Sequence, residues 1–284
     1  MDLVFHLLAF VPVGAGAPPL ARAASIHSES YQAFARSALP AGAVEPCARD
    51  ASILAALFRR EDVATGIQLL ALLHDDVDEL LAAALRGVGE LGPGDVSSTW
   101  ALSALQRLPP EPVEIARIAL ALAAPEFASA YSTVIEPLAE AMLAEIRPRL
   151  EDVGRSVAAV ASADLRLSTT LGRHGRGFGP LVVVGAGAWP PSRIDPWAPI
   201  VMVVHELAVQ EASRALERRG VAASWARSER LALLAAERVV GGTGVADAYA
   251  AWLAALGTDG LVAADAIAGD LITEVADALR GSPS

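Results

Sequence analysis

Asp164-Leu165-Arg166-Leu167-Ser168-Thr169-Thr170-Leu171 and Leu181-Val182-Val183-Val184 are the stretches on which the fold class turns. In the first, Leu165, Leu167 and Thr169 alternate with Arg166, Ser168 and Thr170, the two-residue period of a half-buried strand. The second is a β-branched run bounded by glycines, which suits another short strand. Between them, Gly172-Arg173-His174-Gly175-Arg176-Gly177 reads as a flexible basic turn, and residues 185–199 read as a loop rich in Pro and Trp. The periodic segments on either side are helical, so the expected fold is α+β and mainly α-helical. Residues 1–163 form a mainly helical region. Residues 164–284 form a small sheet followed by four helices, either as a separate part or as one continuous domain with the first.

Upstream, Ser28 or Ser30 caps a helix running to Ala38 and stopped by Pro40, and Asp50 caps another over 51–60. Leu69, Leu70, Leu73, Val77, Leu80, Leu81 and Leu85 recur at the three- and four-residue spacing of amphipathic helices. Further helices are expected over 97–108, 111–123, 125–146 and 148–163, with proline near the start of the last three. No residue recurs at a fixed period, which argues against a solenoid. Downstream, helices are expected over 199–219, 224–240, 245–256 and 260–280. Residues 3–13 fit a buried strand or a short helix equally well.

Composition narrows the class. With 54% hydrophobic and 19% charged residues the chain has ample apolar surface to bury, which excludes general disorder. Every basic residue is arginine, and the net charge of −11 argues against a nucleic-acid partner, because phosphate binding needs a basic surface. The single cysteine, Cys47, permits neither an intrachain disulfide nor a cysteine-based zinc site, which fits a reduced cytoplasm. Leu3 to Val13 followed by Ala21-Arg22-Ala23 imitates a secretion signal. However, Asp2 stands where a positive charge belongs, His6 interrupts the run, and the run is too short to span a bilayer. The expectation is a soluble cytoplasmic protein with no membrane partner.

One constellation carries chemistry. Ile200-Val201-Met202-Val203-Val204-His205-Glu206-Leu207-Ala208-Val209 is apolar on nearly every side of a helix, so it should be buried, and a buried His205 and Glu206 need partners. A zinc-peptidase helix carries His-Glu-x-x-His: two histidines at i and i+4 share one face and one metal, and the glutamate polarises the attacking water. Here the i+4 position is Val209, which cannot ligate zinc, and Gln210 points about 100° away around the helix.

Residues 164–240 resemble the gluzincin-type zinc metallopeptidases. The resemblance rests on the strand Leu181–Val184 before the His205-Glu206 helix and on Ser228-Glu229-Arg230-Leu231-Ala232 on the next one, with Glu229 lying 24 residues beyond His205. It implies an edge strand beside the helix, His205 and Glu229 as metal ligands and Glu206 as the catalytic group. With Val209 in place of the second histidine, it implies a degenerate relative in which Glu206 is vestigial, with no cofactor unless a zinc site persists. His174, in the glycine-rich turn, is the other candidate ligand.

Three functional readings follow: a non-catalytic, metallopeptidase-like scaffold or binding protein with a protein or peptide partner; an active zinc hydrolase with a further ligand; and a helical interaction module without peptidase ancestry. Beside these stands the plainer reading of His205 and Glu206 as a satisfied core pair. No nucleophile elbow or P-loop is present. Gly185-Ala186-Gly187 is followed by Pro190-Pro191 where a dinucleotide-binding helix would start. Asp75, Asp76, Asp78 and Glu79 read as a solvated helix start, and Trp189 and Trp197 as the lining of a groove or as pins for their loop.

Overall fold

A computed structural model of the chain describes residues 29–39, 48–57, 59–70, 79, 96–123, 131–168, 175–178, 181–185, 196–222, 225–255 and 269–281. The segment 3–13, Cys47, His174, the aspartates 75, 76 and 78, and Trp189 lie outside the described residues. The fold is mostly helical, with a small three-stranded mixed sheet between helical regions, as the sequence predicts. Two compact units divide it: Met1–Met142 with Leu167–His174 and Gly185–Ile194, and Leu143–Arg166 with Gly175–Val184 and Asp195–Ser284.

The first unit contains α1 (Glu29–Ala38), α2 (Ala48–Leu57), α3 (Glu61–Leu70), α4 (Val96–Leu105) and α5 (Pro110–Ala123). Helix α3 packs against α4 and α5, and α2 also meets α5. Val63, Ile67 and Leu70 recur at helical spacing and are buried, as are Leu105 of α4 and Ala116 of α5, in a core built from aliphatic residues. At Gly66 a β-carbon would stand 3.3 Å from that of Ala116, so the missing side chain sets how closely α3 and α5 approach.

A π-helical turn, Tyr131–Ile135, leads into α6 (Glu136–Gly154). Here the structure corrects the sequence. Pro148 lies inside α6 instead of opening a new helix. Proline deletes the bond to the Ala144 carbonyl. Buried Met142, Ile146 and Val153 nevertheless share one face of α6, and packing along it keeps the helix running through the break.

The second unit takes in the end of α6, then α7 (Ala158–Ser162), strands β2 (Gly175–Phe178) and β3 (Leu181–Gly185, except its last residue), α8 (Ala198–Arg218), α9 (Trp225–Val240), α10 (Ala246–Ala255) and α11 (Gly269–Arg280). Strand β1 (Asp164–Ser168) precedes β2, and the sheet order is β1-β3-β2. Strand β3 runs antiparallel to β2, with Gly175 opposite Val184 and Phe178 opposite Leu181; in a mixed sheet it must therefore run parallel to β1. The apolar run Leu181–Val184 is fully buried, as its composition predicts, but in the centre of the sheet instead of at its edge. The edge is β2, drawn from the stretch that the sequence presents as a basic turn. Turn composition favours that reading; the physical reason for a strand lies in its tertiary contact, described below.

Helix α8 is the hub of this unit, touching α7, α9, α10, α11 and β2. Its first half, Pro199–His205, is buried all round, and the burial then narrows to a stripe through Ala208, Ala212, Ala215 and Leu216. The helix ends in a Schellman motif: Gly220 adopts φ +65°, its N–H donates to the Glu217 carbonyl at 2.9 Å, and the N–H of Val221 donates to that of Leu216 at 3.0 Å. Arg218 and Arg219 then bridge to Asp270 and Glu274, tying the end of α8 to the start of α11. No helix among the described residues is long and apolar enough to cross a membrane.

Candidate functional site

His205 sits where the fully buried half of α8 gives way to the stripe, and it is 3% exposed. Its Nε2 lies 2.9 Å from Oε1 of Glu229 on α9. A carboxylate can only accept, so Nε2 carries the hydrogen and donates it. Nδ1, on the far side of the ring, is buried and has no hydrogen-bond partner among the described residues. The imidazole packs at a tilt against Trp252 of α10, with ring centroids 4.8 Å apart, and Trp252 packs in turn against Tyr249 at 5.5 Å. Tyr249 is fully buried; its hydroxyl has no hydrogen-bond partner among the described residues, and burial pushes its pKa well up, reinforced by Glu229 and Glu237.

Glu206 points to the other neighbour of α8. Burial raises its carboxyl above the ordinary carboxylate range; Glu229 adds to this, while His205 and Arg176 pull against it. The carboxylate also accepts the backbone N–H of Gly177 in β2. The glycines of β2 permit this approach. A β-carbon at Gly175 would stand 2.4 Å from Cγ of Glu206, and one at Gly177 would stand 2.4 Å from Nε2 of Gln210. Both distances are far inside van der Waals contact. Glu206 and Gln210, one helical turn apart, therefore lie directly on the main chain of the edge strand. Between the two glycines, Arg176 is largely buried. Burial lowers its pKa while Glu206 and Glu229 oppose that, and its guanidinium donates to the Gly175 carbonyl at 2.7 Å.

The structure thus brings together His205, Glu206 and Glu229 from the sequence candidates and adds Arg176, Gln210, Tyr249 and Trp252; His174 lies outside the described residues. The Gly-Arg-Gly spacing at 175–177 was the available signal for Arg176. Nothing in the sequence marks Tyr249 or Trp252 beyond their three-residue spacing on one helix.

The residues present do not fit the metal that the resemblance implies. His205 and Glu229 are engaged with each other at hydrogen-bond distance, and Val209, one turn on from His205, has no donor atom. Gln210 is turned onto Gly177. Among the described residues, no group of three or more His, Cys, Asp or Glu side chains is placed to hold a metal ion. Chemically, the arrangement can tie α8 to α9 through a buried histidine–carboxylate bond and tie α8 to the edge of the sheet through a second carboxylate. No protein-family model, no curated protein and no solved structure matches this chain.

Proposed function

We propose that this chain is a non-catalytic, metallopeptidase-like protein, a scaffold for a protein or peptide partner, in which the residues of a former reaction centre now hold the fold together. The observation that carries this reading is the 2.9 Å contact between His205 Nε2 and Glu229 Oε1. The two side chains that would serve as ligands satisfy each other, on the two helices where a gluzincin-like core would carry them. In the same reading, Glu206 is diverted from water to the backbone of β2. A helical interaction module without peptidase ancestry is the second reading, in which the same buried bond serves only to join α8 to α9. An active hydrolase requires a third ligand, which Val209 does not supply.

The test is the zinc content of the purified protein, prepared without added metal, with His205→Ala measured alongside. The expected result is less than stoichiometric zinc in both. Stoichiometric zinc in the wild type that disappears in the variant would overturn the proposal and restore the hydrolase reading.

A further inference from the structure

We draw no further inference here: the strongest candidate, the cluster of buried polar atoms without protein partners on Arg176, Gln210 and Tyr249 around the His205–Glu229 pair, belongs to the site already described, and nothing in the structure shows a cavity on which these atoms converge.

Discussion

Replacing Glu229 by Ala leaves the His205 Nε2–H in a site where the histidine side chain is only 4% exposed and water cannot easily take over. A stranded buried donor costs about 1–3 kcal/mol. Glu229→Gln keeps a carbonyl oxygen in the same place and exchanges a charge-assisted bond for a neutral one of about half the strength, so its cost should be roughly 0.5–1.5 kcal/mol. His205→Ala does more. It deprives a carboxylate that is 14% exposed of its donor and opens a cavity beside Trp252, for about 3–5 kcal/mol in all. The double variant removes both ends of the bond, so it should cost less than the sum of the singles, with a coupling of about 1–3 kcal/mol. Urea unfolding of the four proteins, read as shifts in midpoint at constant slope, measures these quantities. In thermal scans each kcal/mol should appear as roughly 2–4 °C. If the single effects add to within about 0.5 kcal/mol, the two side chains do not interact and the account of the site given above fails.

Gly175→Ala and Gly177→Ala should each destabilise by about 1–3 kcal/mol, since the new methyl group would have to displace Glu206 or Gln210; a neutral effect at both positions, read by the same urea titration, would mean that β2 does not lie against α8 as described. Gly220→Ala is the control: nothing lies within 4 Å of its added carbon, so the left-handed φ of +65° alone should cost about 1 kcal/mol. For Glu206 the sign runs opposite to that of a salt-bridged acid. Its folded pKa is raised, so its contribution is complete below the unfolded value near 4.5 and is lost as pH rises through the folded value. Glu206→Gln cannot ionise and should therefore gain stability relative to the wild type as the pH climbs above about 4.5 through the raised folded value; a stability difference that stays flat over that climb would contradict the burial of this carboxylate.

Much of the fold was legible in local pattern. Leu69 and Leu70, and later the all-round apolar run before His205, announced helix and burial, because hydrophobic spacing is a property of the segment itself. The edge strand was not legible in this way. Gly175-Arg176-Gly177 has turn composition, and only the close approach of α8 explains why glycine is needed there in an extended strand. Pro148 misled for a related reason: the local rule breaks a helix, and the packing of residues on either side overrides it. In the site, the pairing of His205 with Glu229 was implied only by the resemblance; their spacing alone left open whether they lie close together. Their direct bond, and the diversion of Glu206 to a main-chain N–H, depend on side-chain directions set by three-dimensional packing. The ring contacts through Trp252 and Tyr249 depend on how α10 returns across α8, which no residue of α10 encodes alone.

The division into two compact units has a consequence for how this chain could change over generations. The polypeptide passes from one unit to the other five times, first between Met142 and Leu143 within α6 and last between Ile194 and Asp195. Neither unit corresponds to one contiguous stretch of coding sequence. A single block of the gene that carries the whole of either unit therefore also carries part of the other, so neither unit can be duplicated or transplanted entire by itself.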